Sequence, residues 1–183
     1  MKTEQGFTLV EMLVALAVFV LIGGAAVNLV VSSIAGQRAA FADKTVVDQI
    51  SSVVEYVSRA IRQANKDLTG LCIASGTNYG IPGGGQTGQA LRFRDKEGFC
   101  REFSFNIATS AIQERKSRVA NGAVAFDAFI PLTSNDITIR GVWFFIQGED
   151  QMDNLQPRVT FFIDTQGLQF QTTVSQRKFD VQE

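Results

Sequence analysis

The sequence predicts an α+β fold, with one long N-terminal helix packed on a C-terminal antiparallel β-sheet. Three observations point there. Residues 12–31 form an apolar run whose only strongly polar side chain is Asn28. Over residues 46–68 apolar side chains return at three- and four-residue steps, the period of a helix with one apolar stripe. From Leu91 onward apolar and polar residues alternate in short segments separated by turn residues, the period of half-buried strands. The 183 residues suit one domain of ordinary size plus an extension.

Composition narrows the function. The formal net charge is -1 and no long basic tract occurs, so nothing calls for nucleic-acid binding. The chain has no histidine, which removes the commonest general base and the commonest metal ligand together. Two cysteines, Cys72 and Cys100, cannot build a four-cysteine zinc site. No spacing recommends a lysine or carboxylate base beside a nucleophile, so no catalytic residues, metal or cofactor are expected. Fifteen Phe against one Trp and two Tyr suggest a sheet-rich core stocked with Phe.

The first element is the apolar run. At ~1.5 Å per residue, residues 12–31 span a hydrocarbon core as a helix. A secretory signal would want a net positive start and an apolar stretch of about 7–15 residues. Here Glu4 offsets Lys2, the run is longer, and Glu11 stands at its head. A plain membrane anchor explains the length and leaves Glu11 as an accident. A charge in such a segment costs roughly 2.5–3.5 kcal/mol on insertion scales. Lys2 lies on the far side of Gly6, so either Glu11 sits at the interface or its partner comes from another molecule.

Gly6-Phe7-Thr8-Leu9-Val10-Glu11, followed by Met12-Leu13-Val14-Ala15, resembles the class III signal of type IV pilins and type II secretion pseudopilins. The resemblance implies a leader, residues 1–6, cut from the chain between Gly6 and Phe7 by a prepilin peptidase, with N-methylation of the new N-terminal Phe7. Residues 7–31 would then be a transmembrane and filament-core helix in the inner membrane, single-pass, with the head outside the cytoplasm. The implied partners are the prepilin peptidase/methyltransferase, other pilin or pseudopilin subunits and the inner-membrane assembly platform. Glu11 would be the family's acidic assembly residue. The chemistry fits: cleavage leaves an α-ammonium at Phe7, and in a helical stack that amine can meet a neighbour's Glu11 carboxylate. Two groups costly alone in lipid are favourable together. The rival expectation is a static membrane-anchored binding domain outside the cytoplasm.

The second element is the amphipathic half of the helix, residues 32–69. No proline interrupts it, which predicts one helix over residues 8–68, ~90 Å long at ~1.5 Å per residue. Lys66 falls in its last turn and Gly70 stops it. Gly23-Gly24 weakens it by roughly 1 kcal/mol per glycine relative to alanine.

The remaining residues, 70–183, are expected to form a β-rich head. Ile81-Pro82-Gly83-Gly84-Gly85 lacks the Lys-Ser/Thr of a phosphate cradle and reads as a surface loop. Strands are expected over residues 91–94, 99–107, 111–116, 136–147, 157–164 and 168–175. Glu114-Arg115-Lys116-Ser117-Arg118 reads as a charged edge strand that resists unwanted pairing. Residues 149–154 form an acidic turn whose spacing matches no calcium loop, and a solvated hairpin tip is expected there. Cys72 and Cys100 are a possible disulfide joining the loop after the helix to the sheet, worth roughly 3–4 kcal/mol by loop entropy; two buried free thiols are the alternative. The pattern from Pro131 onward is similar to minor pilins and J-type or other minor pseudopilins, which implies a minor subunit.

Overall fold

The computed structural model describes residues 8–120, 123–134, 136–148 and 155–176. Residues 1–6, Phe7 and the acidic turn at 149–154 lie outside the described residues. The chain divides into two compact units, Met1–Val47 and Asp48–Glu183. Helix α1, Leu9–Arg62, supplies the described part of the first unit and opens the second.

In the first unit the helix is apolar on all sides over residues 12–31, Asn28 apart. Leu9–Arg38 has a mean hydropathy of 2.6 over its most apolar window, and none of that window is buried. Leucine, alanine and methionine carry the helix by propensity, and no proline breaks it. It stays helical through Gly23 and Gly24, where the space a side chain would fill is empty.

In the second unit, one stripe of α1 is buried: Ile50, Val53, Val57, Ala60 and Ile61. The helix ends at Arg62, short of the expected end near Leu68, so the amphipathic helical segment is not 32–69. The last turn tightens, with Gln63 N–H donating to Ala60 O at 3.1 Å and Ala64 N–H to Ile61 O at 3.1 Å. The backbone then turns to the sheet, Asn65 N–H donating to Arg94 O at 2.8 Å. Carbonyls at and just past the helix end also accept from side chains: Tyr79 Oη donates to Ile61 O at 3.0 Å and Gln176 Nε2 to Ala64 O at 2.9 Å. Arg59 and Arg62, rather than Lys66, occupy the last turn, and Leu68 is exposed.

The fold class is α+β, but the strands form two antiparallel sheets where one was expected. The first holds β1 (Tyr79–Gly80), β3 (Ala90–Arg94), β4 (Cys100–Asn106), β5 (Ala111–Ala120) and β6 (Ala123–Phe126) in that order, with β7 (Ile130–Pro131) also paired to β5. The second runs β10 (Gln169–Ser175), β9 (Arg158–Thr165), β8 (Ile139–Gln147), β2 (Thr87–Gly88). Leu91, Phe93, Phe103 and Ile112 from the first sheet are fully buried, as are Phe144, Ile146, Phe161 and Ile163 from the second. Each sheet therefore turns one apolar row inward, as its period-2 pattern requires.

Strand β5 corrects the expectation of a charged edge. It is paired on both sides, to β4 along Ala111–Lys116 and to β7 and β6 on the other side. Two of its charges, Glu114 and Arg115, pair within the fold. Glu114 is buried and accepts hydrogen bonds from Arg101 and from Tyr56 Oη, the latter at 2.7 Å. Arg115 donates to Glu102 at 3.0 Å, and Glu102 also receives Arg92 at 2.6 Å. Arg92, Glu102 and Arg115 stand directly opposite one another across three strands. Phe126 lies over both guanidiniums, 4.7 Å from Arg92 and 4.3 Å from Arg115.

Candidate processing and assembly site

The helix begins with a polar turn before its apolar run. Thr8 caps it: Thr8 Oγ1 accepts from the Glu11 backbone N–H at 3.3 Å, and Thr8 O from Met12 N–H at 3.2 Å. Thr8 and Glu11 thus stand as the first and last residues of the Thr-x-x-Glu spacing of a capping box. A carboxylate in the first turn also meets the positive end of the helix dipole. The sequence carried this signal openly, embedded in the motif quoted above.

Glu11 is exposed, and among the described residues its side chain makes no hydrogen bond or ion pair. Beyond it every side chain to Val31 is exposed, including Phe19, Leu21 and Leu29. A helix that is apolar all round and buries nothing within its own chain needs lipid or other helices as its surroundings. Gly6 and Phe7 lie outside the described residues, so the described part of the site is Thr8, Glu11 and the run that follows.

A second cluster holds the chain leaving the helix. Asp67 is fully buried, and its carboxylate accepts five hydrogen bonds. Oδ1 receives Thr69 Oγ1 at 2.6 Å, Thr69 N–H at 3.0 Å and Gly70 N–H at 3.2 Å. Oδ2 receives Cys72 N–H at 2.8 Å and Ile73 N–H at 3.2 Å. Burial by itself would raise this carboxyl, but the bonds from Thr69, Cys72 and Ile73 prevail and hold its pKa down at about 2. Gly70 adopts a positive φ of 69°, which lets the loop close back on the carboxylate. Sequence inspection passed over Asp67, because nothing local marks an aspartate as the centre of its own loop.

That loop delivers Cys72 to the sheet. The structure brings Cys72 and Cys100 together, with Cα atoms 5.5 Å apart across 28 residues of sequence. Both are buried with Ile73, and Val124 and Phe126 pack against them.

Comparison with known proteins bears on the N-terminal site. Residues 1–27 match the family model described as the prokaryotic N-terminal methylation motif. The match supports a type IV pilin-like protein and covers residues 1–6, the capped turn and most of the apolar run. No curated protein and no solved structure matches the chain.

Proposed function

We propose that the chain is a structural subunit of a pilin-like filament, cut between Gly6 and Phe7 by prepilin peptidase, N-methylated at Phe7, and drawn from the inner membrane into a helical assembly as a minor pilin or minor pseudopilin. The observation that carries the reading is the pairing of two features at one helix start. A match to the methylation motif spans residues 1–27, and the described helix opens with an unpartnered Glu11 at the head of an apolar run that buries nothing. The four parts of the chain then take their roles: leader 1–6, membrane and core helix 7–31, a helical stem beyond it, and a β-rich head.

The mechanism is assembly rather than catalysis. The α-ammonium of an incoming Phe7 meets Glu11 of a subunit already in place, and the pair sets the axial step. Because Thr8 caps the helix by accepting from the backbone N–H of Glu11, truncating the Glu11 side chain leaves the cap intact. Glu11→Ala therefore inserts into membranes as the parent does. Its incorporation into sheared filaments, measured by immunoblot, drops at least tenfold, since removing one member of a desolvated ion pair costs about 3–5 kcal/mol. Parental incorporation of Glu11→Ala sinks the reading.

A further inference from the structure

We propose that strand β10 is the docking edge for an extended segment of another polypeptide, which adds a strand to the second sheet and places a basic side chain near Asp164. The proposal stands independently of the filament reading.

β10 has a partner on one side alone among the described residues, β9, with a register running from Gln169↔Asp164 to Ser175↔Arg158. Its sequence, QFQTTVS, carries no lysine, no proline and no charge, the devices by which sheets blunt an exposed edge. The free backbone groups can be assigned. Thr165 N–H donates to Leu168 O at 2.9 Å and Gln176 N–H to Pro157 O at 3.3 Å, marking hydrogen-bonded pairs at both ends of the ladder. Antiparallel pairs alternate, so 170, 172 and 174 bond to β9. Residues 169, 171, 173 and 175 then turn their N–H and C=O groups to the open edge.

Depressions lie on both faces of this edge. On the outer face one of about 320 Å³ runs beside Trp143, Phe162, Asp164 and Gln169. On the inner face one of about 270 Å³ lies between α1 at Ser51 and Val54 and the strands at Phe161, Phe170 and Thr172. An added strand sends alternate side chains to opposite faces, so one row meets each depression. The outer one holds Asp164, half-buried and without an ion pair or hydrogen bond from its side chain among the described residues. An added strand runs about 10 Å from β9, two strand spacings, within reach of a lysine or arginine extended over Gln169. The inner depression is lined by Val54, Phe161 and Phe170 together with the polar Ser51, Glu55 and Thr172, and its apolar part takes a branched apolar side chain. The strand Gln169–Ser175 carries no cation of its own, and the lone carboxylate of Asp164 on one face with the apolar side chains of Val54, Phe161 and Phe170 on the other selects a segment with alternating basic and apolar residues.

The probe is a capped heptapeptide, Lys-Val-Lys-Val-Lys-Val-Lys, added at millimolar concentration to the full-length protein in non-ionic detergent, with hydrogen exchange read over residues 169–175. Exchange slows at least tenfold. The same peptide N-methylated at alternate amides has no such effect, nor does the version with glutamate for lysine. Gln171→Pro removes an edge donor without touching the β9 ladder; it melts within a few degrees of the parent and shows no protection. Equal protection by the methylated peptide, or none by any peptide, overturns the proposal. Protection that rises with protein concentration alone assigns the edge to a second copy and overturns the stated occupant.

Discussion

Asp67→Asn tests whether one buried carboxylate organises the passage from helix to head. Asparagine can keep the three bonds to Oδ1, but it turns an NH2 group toward Cys72 N–H and Ile73 N–H, which now meet Oδ2 at 2.8 and 3.2 Å. Two buried donors lose their acceptor, at about 1–3 kcal/mol each, and loop relaxation recovers part of it. Proton linkage supplies a second figure. The carboxyl lies at about 2 in the fold against an ordinary 3.8, and at about 1.4 kcal/mol per unit this is a contribution of about 2 kcal/mol. The folded-state value is depressed, so that contribution is complete above pH ~4 and is lost as pH falls toward ~2. The assay is urea unfolding of the full chain in detergent, followed by the fluorescence of Trp143, the single tryptophan. At pH 7 the variant is less stable than the parent by about 2–4 kcal/mol, and the gap narrows by about 1.5 kcal/mol by pH 2.5. A gap independent of pH between 7 and 2.5 refutes the assignment of Asp67 as a charged hub.

Three further outcomes follow from the head. Glu102→Ala leaves the guanidiniums of Arg92 and Arg115 facing each other without their shared carboxylate, and unfolding stability falls by about 3 kcal/mol; the control Lys116→Ala, on an exposed side chain of the same strand, stays within about 0.5 kcal/mol. We propose that Cys72 and Cys100 are oxidised in the mature protein: alkylation of the unfolded chain without reductant adds no label, and labelling of both cysteines contradicts the bridge. Cys72→Ser then lowers stability by about 3–4 kcal/mol, and added reductant brings the parent down by the same amount.

Much of the fold was legible because it rests on periodicity. The apolar run and the stripe from Ile50 to Ile61 predicted a long helix, and six expected strands correspond to β3, β4, β5, β8, β9 and β10 with ends shifted by a few residues. The failures share a cause: long-range pairing overrides local pattern. The helix stops at Arg62 because Asn65 finds Arg94, a strand residue far along the sequence that no local signal announces. Glu114 and Arg115 looked like solvated edge charges because their partners, Arg101, Tyr56 and Glu102, sit on other elements. Two sheets replaced one because strand order across a gap is not written in alternation. At the N-terminal site, Glu11 was legible from its anomalous place before an apolar run, whereas Thr8 as its cap went unnoticed although the Thr-x-x-Glu spacing was in plain view.

The central claim is that this N-terminus is a processing and assembly signal. The intact mass of the protein recovered from membranes of its own cells tests it most directly. The account predicts a chain that begins at N-methylated Phe7, lacking residues 1–6. A chain that keeps Met1 in cells with an active prepilin peptidase contradicts it, and Glu11 would then head a static anchor.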